Sequence, residues 1–176
     1  MSRFLIPLGA FVLLAIVLAV GLKHSPEKGV IPSPLLGKPA PAFKTSVLTD
    51  ANRTFDSAEL KAGRWSLFNV WGTWCEQCRV EHQTLLEIAK RGEVRVIGLD
   101  WKDEDPTALQ WIQDLGNPYD VIATDRDGRI AIDWGVYGAP ETFLVNPQGI
   151  VVHKYVGALT MQAWETQFLP RLKEKS

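Results

Sequence analysis

The chain has little cysteine: two residues in 176. One pair cannot staple a loop-rich domain, which needs several bridges, so these thiols read as a site and not as a scaffold. Histidine is scarce as well, at three, which leaves few ways to complete a closed four-ligand zinc site. An excess of either charge is missing. With 19 basic and 20 acidic side chains spread along the chain, there is no clustered basic face for a phosphate backbone, and nucleic-acid binding is not expected. Internal repeats and low-complexity segments are absent, and nothing argues for an oligomer, so a monomer is expected.

Charge disappears altogether over residues 4–22, FLIPLGAFVLLAIVLAVGL, which approaches the roughly 20 apolar residues that cross a bilayer core as a helix. A cleaved signal peptide has an apolar region of only about 7–15 residues before a small-x-small site, and Ala19-Val20-Gly21 matches such a site weakly. Residues 1–23 are therefore expected to be an uncleaved signal anchor, a single transmembrane helix. Arg3 on one side and Lys23, Glu27 and Lys28 on the other give only a mild positive-inside signal. The cysteines orient the chain better. A C-x-x-C pair after an export-type segment favours an oxidising compartment, where a cycling dithiol needs its own electron supply. The expected location is the inner membrane, single-pass, with the globular part in the periplasm. Residues 24–42, with Pro26, Pro32, Pro34, Pro39 and Pro41, have the composition of a semi-extended tether, and the globular domain is expected over 43–176.

Within that domain, 47–49 and 53–55 read as a hairpin around Asp50-Ala51-Asn52, and Asp56-Ser57 as the cap of a brief helical turn. The aromatic run 65–71 (WSLFNVW) reads as a strand, followed by Gly72-Thr73 and a helix from Cys75. That helix is expected to bury Val80, Leu85, Leu86, Ile88 and Ala89 and to stop at Gly92. A strand over 94–99 follows, then a helix capped by Asp105 with Pro106 in its first turn, ended by Gly116-Asn117-Pro118. Strand 119–123, a short helix over 130–134, a hairpin of 142–145 and 150–156 across Asn146-Pro147-Gln148-Gly149, and a helix over 161–172 complete the order. Alternating βαβ units followed by a hairpin and a helix predict the α/β class, a mixed sheet with helices on both faces.

A thiolate is the nucleophile of disulfide exchange, and the first turn of a helix stabilises its charge through free backbone N–H groups and the helix dipole. Cys75 is therefore the expected attacking thiol, and Cys78, one turn on, the resolving thiol. Two alternatives stand beside this reading. Cys75, Cys78 and His82 are close enough in sequence for a three-coordinate copper or zinc delivery site, whereas His24 and His153 are poorly placed. A thiol oxidoreductase of broader substrate range is the other. Haem attachment needs His directly after the second cysteine, and Arg79 stands there.

Residues 71–82, WGTWCEQCRVEH, together with 135–143, GVYGAPETF, closely resemble the DsbE-type (CcmG-like) thioredoxin-fold proteins of cytochrome c maturation. The resemblance spans roughly 35–172, and the second stretch selects this branch of the thioredoxin superfamily. It implies a thioredoxin-like fold, no cofactor beyond a redox-active disulfide, and a periplasmic dithiol that reduces apocytochrome c or a thiol partner protein. A transmembrane thiol–disulfide donor of DsbD or CcdA type would recharge it. Pro140 should be cis, opposite the dithiol, and Ala139 should offer backbone groups to an extended substrate strand. Glu81 and Glu141 match the acidic residues around the family's site; a carboxylate beside a thiolate raises the thiol pKa and makes the dithiol more reducing. Asn69 occupies the place where thioredoxin has a buried acid, so proton removal from Cys78 would fall to Glu81 or water. Glu76-Gln77 departs from the family's frequent proline-containing pair. The plainer alternative for Glu81, Glu141 and His82 is a surface or structural residue. Trp74 is a candidate substrate platform, and Trp65, Trp101, Trp111, Trp134 and Trp164 are expected in the core or at its rim.

Overall fold

A helix is the conformation that satisfies the backbone of an uncharged apolar run, and α1 (Ser2–Lys23) takes it up, with Pro7 inside. The computed structural model describes residues 2–23 and 33–173, which fall into two units divided after Pro32. In the first, the described side chains of residues 6–18 are all exposed. Among the described residues no helix is long and apolar enough to cross a membrane. Of the expected tether, residues 24–32 lie outside the described residues.

The globular unit begins at Ser33, so the boundary expected at residue 43 moves forward. Gly37 N donates to Val151 O and Val151 N to Lys38 O, Ala40 N donates to Gly149 O, and Pro39 bridges Ile150. Composition registered the prolines of this segment; it did not register that the backbone groups between them would meet an open sheet edge.

Seven strands form one sheet in the order β2-β1-β5-β4-β3-β6-β7. These are β1 (Lys44–Val47), β2 (Asp50–Asp56), β3 (Ser66–Trp71), β4 (Arg95–Trp101), β5 (Val121–Asp125), β6 (Glu141–Val145) and β7 (Val151–Val156). β3, β4 and β5 run parallel, joined through α2 (Glu76–Arg91) and α3 (Asp105–Leu115), while β1, β2, β6 and β7 pair antiparallel. α4 (Arg129–Asp133) follows β5, and the chain closes with α5 (Met161–Ala163), a wider π turn over Trp164–Phe168, and α6 (Leu169–Lys173). The sheet is mixed and α/β, as the pattern predicts.

Central β3 is buried on both faces, which is why it reads as a continuous apolar run and not as an alternating one. Leu67 and Trp71 join the core that holds Leu85, Ile88, Trp111, Leu144 and Phe168, while Phe68 and Val70 join Phe55, Ile97, Trp134 and Phe143 on the other face. Several local expectations shift. The β1–β2 turn falls at Leu48-Thr49, ahead of the expected residues. Glu104, not Asp105, occupies the cap of α3, because Pro106 follows Asp105 already inside the first turn. Val80 is exposed: on α2 it lies off the stripe formed by Cys78, Glu81, His82, Leu85 and Ile88. Asp56 does cap the helical turn Ser57–Lys61, in a reciprocal box with Glu59.

Phe68 stacks on Trp134 at 4.0 Å between ring centroids, and Trp134 meets Phe143 edge-on at 5.0 Å. Phe68→Ala should cost about 3–5 kcal/mol, read as a lower urea midpoint with an unchanged denaturant slope; a loss below about 1 kcal/mol would show that this face does not rely on the stack.

Candidate active site

The site starts where β3 ends. Gly72-Thr73-Trp74 turns the chain into α2, and Cys75 takes the N-cap position in an extended conformation, φ -97° and ψ 107°. Its Sγ accepts the N–H of Cys78 at 3.1 Å, and its own N–H donates to Gly72 O. Cys75 and Cys78 are joined as a disulfide. Once reduced, a sulfur in this place faces the unpaired N–H groups of the first turn, which favour the thiolate. The helix ends where expected, with Gly92 in the left-handed conformation.

Three residues beyond Cys78, on the same buried stripe, lies Glu81. It is not a solvated helix residue. Asn69 Nδ2 donates to its Oε1 at 2.8 Å, and Leu159 N donates to its Oε2 at 2.7 Å. Asn69 also donates to Thr142 Oγ1 at 3.1 Å and accepts the Tyr119 hydroxyl at 3.0 Å, so every polar atom of the amide is used. Burial pushes the Glu81 carboxyl up to about 7, against the two N–H donors, which pull it down. Burial likewise holds the Tyr119 hydroxyl neutral, its pKa raised well above the ordinary value.

Glu141 is also buried but lies elsewhere. β6 alternates Thr142 and Leu144 toward the α2 side, so Glu141 shares the opposite face with Phe143 and Val145. There it pairs with Lys154 Nζ at 2.8 Å and accepts the Tyr137 N–H at 3.2 Å, while Lys154 donates to Gly135 O. The structure therefore gathers Glu81 with the dithiol and sets Glu141 behind the loop at 135–140. The Ala139–Pro140 bond is cis. Val70 of β3 pairs with Glu141, which brings buried Pro140 alongside Trp71 at the end of the sheet that carries Cys75. Ala139 packs against the same core as the cysteines.

Trp74 is half-exposed, its Nε1 donating to Trp101 O at 3.1 Å. With Arg79, Gln110, Trp111 and Asp114 it lines a shallow groove, where the Arg79 guanidinium lies 4.3 Å from the Trp111 ring. Trp111, Trp134 and Trp164 are buried, Trp65 and Trp101 half-buried. His82 is turned away from any metal role. Its Nδ1 accepts from Trp111 Nε1 at 3.3 Å, which leaves Nε2 protonated to donate to Gly116 O at 2.9 Å. Burial lowers its pKa and keeps the ring neutral. Among the described residues no group of three or more acidic, histidine or cysteine side chains is placed to hold a metal; His24 lies outside them.

Sequence reasoning missed the Asn69–Tyr119–Thr142 frame around Glu81 and two further buried acids, Asp100 at the end of β4 and Asp125 at the end of β5. An asparagine inside the apolar run of β3 was the available signal for the first. Asp100 stood just past the strand expected over 94–99 and carried no signal of its own.

A disulfide at a helix N-cap, a buried acid one turn below it and a cis proline beside it now stand together, and comparison with known proteins decides the family. The Redoxin family model matches residues 35–166. The thiol:disulfide interchange protein DsbE of Allochromatium vinosum is 49% identical over 96% of this chain and 92% of its own length. That of Pseudomonas aeruginosa is 45% identical, covering 94% and 90%, and that of Escherichia coli 39%, covering 94% and 91%. The chain belongs to the DsbE family of thiol:disulfide interchange proteins. Like the DsbE proteins, it is a thiol:disulfide oxidoreductase of thioredoxin-like fold. A secreted thiol-disulfide isomerase from Corynebacterium glutamicum has the same fold, with a TM-score of 0.67 at 21% identity over 77% of this chain and 86% of that one. So does a DsbF homologue from Corynebacterium diphtheriae, with 0.64 at 22% identity over 73% and 83%.

A carboxyl raised from 4.5 to about 7 keeps its proton in the folded chain where the unfolded chain has lost it. Glu81 thus favours the fold fully below about pH 4.5, and this contribution is lost as the pH rises to about 7, at about 1.4 kcal/mol per pH unit. In urea unfolding of the oxidised protein, the stability of wild type relative to Glu81→Gln should fall by a few kcal/mol across that window. A difference independent of pH would mean that Glu81 titrates normally.

Proposed function

We propose that this DsbE-family protein is a periplasmic, membrane-anchored reductant that opens disulfides of apocytochrome c, or of a thiol partner protein, during cytochrome c maturation. The observation that carries the reading is the buried carboxyl of Glu81 on the same helical stripe as Cys78. Cys75, as the thiolate, attacks one sulfur of the substrate disulfide; that S–S bond breaks and its other sulfur departs with the bonding electrons. Cys78 then passes its proton to the Glu81 carboxylate and attacks Sγ of Cys75. The remaining substrate sulfur is released, and Glu81 supplies a proton to a departing sulfur. The substrate gains two electrons and two protons, one relayed from Cys78 by Glu81 and one from solvent, which took the Cys75 proton when its thiolate formed; the protein is left with the Cys75–Cys78 disulfide. A transmembrane thiol donor of DsbD or CcdA type returns the electrons.

A carboxyl that ionises near neutrality beside the dithiol opposes the thiolate, and a destabilised thiolate makes the pair a stronger reductant. Ala139 forms no backbone hydrogen bond with the described residues, which supports pairing of an extended substrate strand beside Pro140. Trp74 and the groove beside it would flank that strand. Glu141, through its hold on Tyr137 N, would set the loop that presents Ala139. Residues 1–23 would anchor the chain and raise its effective concentration near membrane-bound partners.

Equilibration with glutathione, followed by tryptophan fluorescence, should give a potential between about -270 and -180 mV, and a value near -120 mV, that of an oxidant, would exclude the reductant role. Cys78→Ser should accumulate a mixed disulfide with a peptide bearing an oxidised C-x-x-C-H segment, and Cys75→Ser should not. Glu81→Gln should slow release from that mixed disulfide about 10- to 100-fold at pH 7; normal rates at every pH would remove Glu81 from proton transfer.

A further inference from the structure

The exchange chemistry leaves two buried acids unused, Asp100 and Asp125, and Asp125 is met by the N–H groups of Ile130 and Ala131. Asp100 ends β4, opposite Trp71 of β3 and Thr124 of β5, and is only 2% exposed. Alternation along β4 turns it to the side of Val96 and Gly98, the side that packs under α2. Its Oδ1 meets no donor among the described residues, and its hydrogen-bond neighbour is the carboxyl of Asp103. Ionised carboxylates only accept, so this contact needs one proton shared between two acids.

Asp103 in turn holds the entrance to the redox helix. Its Oδ2 accepts the Thr73 N–H at 2.5 Å, and its Oδ1 accepts the Thr73 hydroxyl at 2.8 Å and the Glu104 N–H at 2.9 Å. Thr73 stands two residues before Cys75, and Gly72 O receives the Cys75 N–H at 3.1 Å. Trp101 O takes Trp74 Nε1 on the other side of the turn. The stretch from Trp101 to Asp103 therefore grips the chain just ahead of the nucleophile at two points.

We propose that Asp100 is a positioning residue for disulfide exchange: as the neutral acid it donates to Asp103, and the shared proton fixes the carboxylate that holds the Thr73 turn and so aims the sulfur of Cys75. The charged and titratable groups around it work in both directions. Asp103, ahead of α3, and Asp105, its first residue, oppose its ionisation, and Arg126, beyond β5, favours it while pairing with Asp105. Tyr119, ahead of β5, feels both Asp100 and Glu81 of α2. Burial outweighs the guanidinium and pushes Asp100 up to about 8. Above that pH two adjacent anions repel, and the Thr73 turn loses its support.

The test uses the full chain, reduced, reacting with glutathione disulfide from about pH 6 to about pH 9.5, with the rate divided by the Cys75 thiolate fraction from absorbance titration. A Glu81→Gln background silences the buried acid of the redox helix, and Asp125 is common to every variant compared. With Asp100 intact, the rate per thiolate should fall severalfold through pH 8. Asp100→Asn, whose amide donates to Asp103 at any pH, should keep the neutral-pH rate and lose the fall. Asp100→Leu, which cannot donate, should be about tenfold slower throughout. Coincident profiles with Asp100 intact and with Asp100→Asn, or an Asp100→Leu chain as fast as the Asp100→Asn chain, overturn the proposal. Should Asp100→Leu lose its cooperative unfolding transition, the comparison of Asp100 with Asp100→Asn decides alone.

Discussion

One side-chain amide, that of Asn69, ties the redox helix to the sheet. It lies in β3, buried at every residue, with β4 on one side and β6 on the other, and its three hydrogen bonds reach α2 through Glu81, β6 through Thr142 and the approach to β5 through Tyr119. An unmet polar group at this depth would cost on the order of 1–3 kcal/mol, so the three partners must arrive together or not at all. That constraint locks the depth and rotation of α2, and with them the placing of Cys75 and Cys78. A carboxylate at residue 69 would meet the Glu81 carboxyl as a second acid; a neutral amide can instead donate to it.

Two opposing electrostatic effects act on the dithiol. The helix N-terminus favours the Cys75 thiolate, typically by about 0.3–1 kcal/mol at an exposed end and up to about 2 when partly buried. Ionised Glu81, a turn away and in a low-dielectric setting, disfavours it, and each pKa unit is worth about 1.4 kcal/mol, the equivalent of about 30 mV in a two-electron couple. The two contributions are of the same order, so modest changes around Glu81 move the potential. If Glu81 tunes the dithiol as proposed, the donors Asn69 and Leu159 N share in that tuning, since both hold its carboxylate.

Elements built from local pattern were readable in the chain. The run 65–71, the cysteine-capped helix with its glycine stop, and the hairpin across Asn146-Pro147-Gln148-Gly149 each carry their signal within a few residues. What escaped depends on distant partners. Glu81 meets Leu159, 78 residues on, and Asn69 meets Thr142, 73 residues on; no periodicity announces such meetings. The segment at 33–42 read as a tether because its prolines dominate the composition, whereas β7 supplied the edge that orders it. Glu141 read as one of a pair with Glu81 because both border recognisable motifs. Strand alternation sends it to the other face.

The contrast between these two glutamates explains how one buried acid stays structural while another remains free to titrate near neutrality. Glu141 has a cation at ion-pair distance, and Lys154 is itself held by Gly135 O and lies over the Tyr137 and Phe143 rings. Removing one partner of such a pair would strand a buried charge, a loss of about 3–5 kcal/mol, so the two side chains together brace the loop. Glu81 has only neutral donors, which soften the cost of its ionisation without cancelling it. Its charged and neutral forms are therefore close in free energy at neutral pH, the condition that a group exchanging a proton with a thiol has to meet. Under the proposed exchange, placing the lysine behind one acid and the amide beneath the other would divide bracing from proton handling within a single sheet.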